Sequence, residues 1–137
     1  MAKFRKVNGK TKWIHLPVTP STVLAEGSLV RFTSGKLVAA GAATAAADLV
    51  GVLRHGIAAT DADYASDRLV EVEVPLEKHV VYEAEAVAAV ASDVGVEVDL
   101  VDADTIDRSA SAVKVAKVVR VLSTTKILVW LKLNGSY

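Results

Sequence analysis

Between residues 69 and 76 valine and glutamate alternate: Val70, Val72, Val74 and Leu76 hold one parity, and Leu69, Glu71 and Glu73 the other. Period two places every valine on one face of a sheet and the carboxylates on the opposite face, whereas a helix would scatter them around its circumference. Pro75 has no amide hydrogen, so the strand ends, bends or lies at an edge there. The alternation returns at 94–101, with Val94, Val96, Val98 and Leu100 opposite Gly95, Glu97, Asp99 and Val101. It returns again at 113–122, where Val113, Val115, Lys117, Val119 and Val121 stand in register. Residues 123–125 read as a turn and 127–133 as the closing strand of a C-terminal hairpin.

Upstream, two short β-prone runs at 28–33 and 36–40 flank Ser34-Gly35, which is a hairpin signal. The alanine-rich stretch 41–47 reads as a loop or a brief helical turn. Residues 49–53 (LVGVL) read as a buried strand in which Gly51 marks a bulge or a close backbone approach. A polar, acidic loop follows at 60–67, and an extended run restarts at 78–82. Residues 83–92 are rich in alanine and glutamate, with Val87 and Val90 three apart, which favours a short helix or mixed segment. The rival is a strand with Ala84, Ala86 and Ala88 on one side. Pro17 and Pro20 forbid regular helix across the basic first twenty residues, which read as an extended arm outside the core. The expectation is therefore an all-β chain with at most one short helix: an arm at 1–20, then one β-rich domain at 21–137. With about nine or ten short strands spaced about 10 residues apart, a small sandwich or barrel is the expected architecture.

Composition sharpens this reading. The 137 residues are 52% apolar but only 5% aromatic, so the hydrophobicity comes from Val, Ala and Leu, and β-branched side chains suit a pleated surface. Cysteine is absent, which removes disulfides, thiolate catalysis and Cys-rich metal sites. No apolar run has the length of a signal peptide core or the ~20 residues of a membrane span, so an intracellularly assembled protein with no membrane partner is expected. The net charge is zero, yet it is written in blocks. Residues 1–60 carry eight bases against Glu26 and Asp48, a net +6; residues 61–107 carry fourteen acids against Arg68 and Lys78, a net −12; residues 108–137 carry six bases and no acid. Such blocks can neutralise one another within a subunit or across a subunit boundary.

Catalytic chemistry finds little support. His15, His55 and His79 are isolated in sequence, and no His/Cys cluster with metal-ligand spacing occurs. Glu71 with Glu73 would lie about 7 Å apart on one strand face, superficially the spacing of a glycosidase pair, but rings to hold a sugar are scarce. Asp102 and Asp104 begin a stretch, 102–107, that lacks the glycine and closing glutamate of an EF-hand loop. Phosphate-cradling and nucleophile-elbow motifs are absent. The basic first residues with Phe4 and Trp13 could touch nucleic acid, but the neutral whole and acidic centre argue against it. A non-enzymatic protein without metal or cofactor is expected. A ligand- or carbohydrate-binding β-domain of a head fibre or surface protein, with Trp130 as its platform, stands as the alternative.

Residues 24–53 carry a cadence of turns and strands: Gly27-Ser28-Leu29-Val30, then Ser34-Gly35-Lys36-Leu37-Val38-Ala39-Ala40, an alanine-rich link, and Leu49-Val50-Gly51-Val52-Leu53. Followed by the alternating strand at 69–74, this resembles the capsid decoration, or cement, proteins of tailed phages. The resemblance covers residues 24–76 and, more loosely, the C-terminal strands. It implies a small β-rich domain, a homotrimer, seated on the capsid exterior of a virion assembled in the host cytoplasm, where it clamps neighbouring subunits of the major capsid protein. It also implies an N-terminal arm that reaches the shell, here with Phe4, Val7, Trp13, Ile14 and Leu16 as anchors and Lys3, Arg5, Lys6, Lys10 and Lys12 as complements to an acidic surface.

Overall fold

The computed structural model describes residues 3–132, and their regular structure is strand almost throughout. In chain order the strands are β1 (Arg5–Asn8), β2 (Thr11–Val18), β3 (Leu29–Thr33), β4 (Lys36–Ala39), β5 (Leu49–Leu53), β6 (Arg68–Pro75), β7 (Val81–Ala86), β8 (Glu97–Asp102), β9 (Thr105–Asp107), β10 (Ala116–Val121) and β11 (Lys126–Leu131). The helical turns among them are short 3₁₀ turns at Ala46–Asp48 and Ala91–Asp93. The fold is all-β. No helix among the described residues is long and apolar enough to cross a membrane.

Two barrels account for the strands. β2, β4, β3, β5 and β6 close one, in that order. β7, β11, β10, β8 and β9 close the other through a parallel β7–β9 pairing, and β1 is added beside β7 at the end of that sheet. Ser34 and Gly35, at φ 51° and 80°, make the tight turn between β3 and β4, with Thr33 opposite Lys36. Positive φ at both central residues matches the twist of the flanking strands, which is why this pair closes a hairpin. The hairpin of β10 and β11 also forms, with Ala116 opposite Leu131; residue 133 of the expected closing strand lies outside the described residues.

The two hydrophobic clusters meet at β3 and β5. Val30, Val50 and Leu53 join Val18, Leu24, Leu37, Ile57, Val70 and Val72 inside the first barrel. Leu29, Leu49 and Val52 point the other way and join Phe4, Tyr82, Leu100, Ile106 and Ile127 in the larger cluster. A strand buried on both faces needs no polar parity, so β5 reads as an unbroken apolar run. Gly51 sits at its centre, where a Cβ would collide with the main-chain oxygen of Glu73 and lie 2.8 Å from Val72 Cγ1.

Three local expectations are corrected. Residues 83–92 do not form a helix: β7 runs through Ala86 with Tyr82, Ala84 and Ala86 buried, and only Ala91–Asp93 turns helically. Pairing with β1, β11 and β9 outweighs the intrinsic helix preference of alanine and glutamate. Residues 113–122 bury the opposite parity from the one expected beyond Val115, with Ala116 and Val118 inside. Lys114 takes φ 62° just before the strand, and an irregularity between Val118 and Arg120 shifts the register again. A one-residue shift exchanges the faces of a strand. Finally, residues 5–18 are not an arm outside the core. β1 pairs with β7, and β2 pairs with β6 along its whole length, from Thr11 opposite Pro75 to Val18 opposite Arg68. Proline excludes helix but not a strand whose N–H is not required, and Pro17 stands opposite Leu69 in that ladder.

The charge blocks neutralise within the chain. Arg5–Glu83, Lys36–Asp67 and Arg54–Glu71 join the basic first block to the acidic middle, and Arg108–Asp93, Lys126–Glu85 and Lys132–Glu97 join the basic last block to it. Most are exposed and contribute little individually. Asp93 differs: its buried carboxylate takes Arg108 Nε at 2.7 Å and Nη2 at 3.0 Å, and accepts the Val90 N–H at 2.8 Å. The Arg108 hydrogen bonds hold Asp93 below the usual carboxylate range, against the opposing effect of burial. A depressed folded-state value means the contribution is fully present above the unfolded-state pKa of about 3.9 and is lost as pH falls through the folded value. Thermal melts of the native chain and Asp93→Asn should therefore differ by a constant amount from pH 7 to about pH 5, and the difference should shrink progressively as pH falls below about 4. A difference unchanged at still lower pH would contradict this assignment.

Candidate functional site

The N-terminal residues converge on a cleft where β1 meets the outer face of the first barrel. The chain enters beside Gly27, whose carbonyl accepts the Phe4 N–H at 2.8 Å and whose φ of 78° leaves no room for a Cβ under Lys3. Phe4 is thereby driven into the larger hydrophobic cluster. Gly9, at φ 110° and packed against Val80, turns the chain from β1 into β2. On β2 the parity of Ile14, Leu16 and Val18 turns inward; Leu16 packs against the first barrel's cluster and Val18 is buried. The opposite parity, Thr11, Trp13 and His15, stands on the outer face, beside Glu73 and Glu71 of β6.

The result is an open cleft of about 450 Å³ lined by Lys3, Phe4, Arg5, Lys6, Trp13, Glu26, Gly27, Val52, Leu53, Arg54 and Glu73. Trp13 remains 43% exposed, and the Arg54 guanidinium lies 4.6 Å over its ring. Arg54 also donates to Glu71 at 2.7 Å, which holds the guanidinium over the indole. Arg5 reaches Glu83 at 2.9 Å, and Lys3 lies 3.6 Å from Glu26. Lys6 donates to Thr11 at 3.1 Å, and Thr11 in turn donates to Glu73 at 2.9 Å.

Glu73 is the inward departure from its parity. It belongs to the carboxylate face of β6, yet only 6% of it is exposed, at the base of the cleft it shares with Lys3, Arg5 and Lys6. Tyr82 of β7 lies beneath, 1% exposed, and its hydroxyl makes no hydrogen bond. The hydroxyl approaches Glu73 without bonding geometry. Burial first, and the Glu73 charge second, push the phenol above its ordinary range and keep it protonated. A buried hydroxyl without a partner costs about 1–3 kcal/mol, so Tyr82→Phe is expected to leave stability unchanged or raise it by about 1 kcal/mol in urea unfolding. A loss of more than about 1 kcal/mol would show that the hydroxyl is satisfied in solution.

Of the ten residues expected as shell contacts, Lys3, Phe4, Arg5, Lys6 and Trp13 line this cleft, while Lys10 and Lys12 are exposed outside it. Val7 is exposed on β1 but outside the lining, and Ile14 and Leu16 belong to the inward face of β2. Sequence reading missed Arg54, and it named Gly27 only as part of a strand-and-turn cadence and Glu73 only as a partner of Glu71. Arg54 directly follows the buried run 49–53, a place where a charged residue reads only as the end of a strand.

The other candidates disperse. His15 faces Glu71 at 3.5 Å, and exposed His79 packs at a 38° tilt against Trp130 with ring centroids 4.3 Å apart. Trp130 is thus half-buried and covered rather than presented as a platform. Glu71 is engaged by Arg54, and Asp102 accepts the Asp104 N–H at 3.1 Å within the β8–β9 turn. No group of three metal-ligating side chains occurs among the described residues. No protein-family model and no curated protein matches this chain.

Proposed function

We propose that this protein is a non-enzymatic structural virion protein: a homotrimeric β-domain that binds the outer surface of a phage-type capsid and clamps neighbouring capsid subunits. One observation carries the reading. The residues that the sequence marks as shell contacts, Lys3, Arg5, Lys6 and Trp13, come together on one open surface cleft with Arg54, although Lys3 precedes β1, Arg5 and Lys6 lie on β1, Trp13 lies on β2 and Arg54 follows β5. Their arrangement suits contact with another protein: an exposed indole backed by a fixed guanidinium, ringed by long cationic side chains, is the composition of an interface hot spot. The cadence of residues 24–76 supports the capsid as that partner. The clamp works by adding buried area between neighbours, of the order of 800 Å² per partner for each stable contact.

Co-sedimentation with expanded, undecorated capsids tests this, together with mass measurement of the free protein. Saturable binding that Trp13→Ala weakens, and a trimeric mass, are expected. A monomer that stays in the supernatant would overturn the proposal.

A further inference from the structure

The cleft is rich in hydrogen-bond donors and poor in free acceptors. A guanidinium carries five N–H donors, and the described side-chain bonds take one from Arg5, to Glu83, and one from Arg54, to Glu71. Lys6 gives one hydrogen to Thr11, and the Lys3–Glu26 pair is long and solvent-exposed on both sides. Both acids of the lining are spoken for: Glu26 stands against Lys3, and Glu73 is buried and receives Thr11. What remains open toward solvent is donor hydrogens around the apolar face of Trp13.

We infer that this cleft binds an extended acidic peptide segment of a partner protein, with its carboxylates on Lys3, Arg5 and Lys6 and an apolar side chain on the Trp13–Arg54 stack. This rests on the capsid reading only for the partner's identity; the chemistry of the cleft stands on the side chains. A peptide fits better than a nucleic acid. Glu26, Glu71 and Glu83 interrupt the cations around the rim, so a continuous phosphate backbone would meet repulsion at each interruption, whereas spaced carboxylates interleave with them. A single indole also offers a platform for one side chain rather than for a succession of bases.

The probes are a fluorescein-labelled peptide in which glutamate alternates with leucine, its glutamine analogue, and a single-stranded oligothymidylate of equal length. Anisotropy titrations of the whole chain at about 0.05 M salt keep screening weak. The acidic peptide is expected to bind, with the glutamine analogue and the Trp13→Ala variant each at least ~10-fold weaker and the oligothymidylate not bound. Lys3→Gln combined with Arg5→Gln should weaken binding comparably while the melting temperature stays within a few degrees of the native chain. No binding of the acidic peptide, equal binding of its glutamine analogue, oligothymidylate binding as tight as peptide, or unchanged affinity in a folded Trp13→Ala variant would each overturn the inference. Shell binding without peptide binding removes this inference and leaves the capsid reading, and peptide binding without shell binding does the reverse.

Discussion

Gly51→Ala is expected to destabilise the protein by about 3 kcal/mol or more, at the upper end of what overpacking a core costs. The magnitude follows from what the new methyl group would meet. β5 is clasped between β3 and β6, with Gly51 opposite Val30 and its neighbour Val52 opposite Glu73. The Cβ would strike the Glu73 carbonyl oxygen and lie 3.1 Å from the Glu73 carbonyl carbon. Backbone cannot rotate away as a side-chain tip can, so relief requires β5 and β6 to separate. That separation would disturb both clusters at once, since β5 contributes to each. Urea unfolding is the measurement, and Gly41→Ala is the control: its Cβ would meet nothing within 4 Å, so a change within about 0.5 kcal/mol is expected. Equal midpoints for the two variants would show that β5 is not held as described.

Asp99→Ala is expected to cost about 3 kcal/mol, several times the loss from any exposed ion pair in the chain. Asp99 is buried on β8, and its carboxylate accepts three successive backbone hydrogens: Ala112 N–H on Oδ2 at 2.9 Å, Val113 N–H on Oδ1 at 2.9 Å, and Lys114 N–H on Oδ1 at 2.7 Å. Bonds to an ionised acceptor are the strong ones. They hold the segment that enters β10, including Lys114 at φ 62°, and so set the register in which Ala116 meets Val98 and Leu131. Alanine would leave three donors without an acceptor. Asp99→Asn should lose less, about 1–2 kcal/mol, because Oδ1 can still accept while the new amide opposes the Ala112 N–H. Hydrogen exchange should rise at Ala112 in both variants and at Val113 and Lys114 in Asp99→Ala, and protection unchanged in Asp99→Ala would refute the assigned role.

The same residue shows why the barrel was only partly legible in the chain. Asp99 shares its parity with Glu97 and reads as a solvent-facing carboxylate, and nothing in the local pattern announces that residues 112–114 fold back onto it. Glu73 is the parallel case on β6: alternation assigns its face correctly, but at this one position of that face the side chain is buried. The cleft was legible in pieces. Basic residues beside Trp13 mark the first segment as a contact surface, yet Pro17 and Pro20 mask the period-two alternation of Ile14, Leu16 and Val18 with His15 and Pro17. Arg54, brought in from beyond that segment, carried no signal, and Gly27 signalled only a turn before β3.

By itself the sequence determined the all-β class, the Ser34-Gly35 hairpin, the C-terminal hairpin, the buried run at 49–53 and the face on which Val70 and Val72 lie. Each of these is fixed by side-chain period or turn geometry within a few residues. Only the tertiary structure decided that two barrels form, that β1 and β2 belong to them, that 83–86 is strand, and that Trp13 and Arg54 meet. Those outcomes depend on pairings between residues far apart in the chain, such as Trp13 with Glu73 and Glu85 with Lys126. Their free energy comes from surface covered by a distant partner, a quantity that no local period encodes.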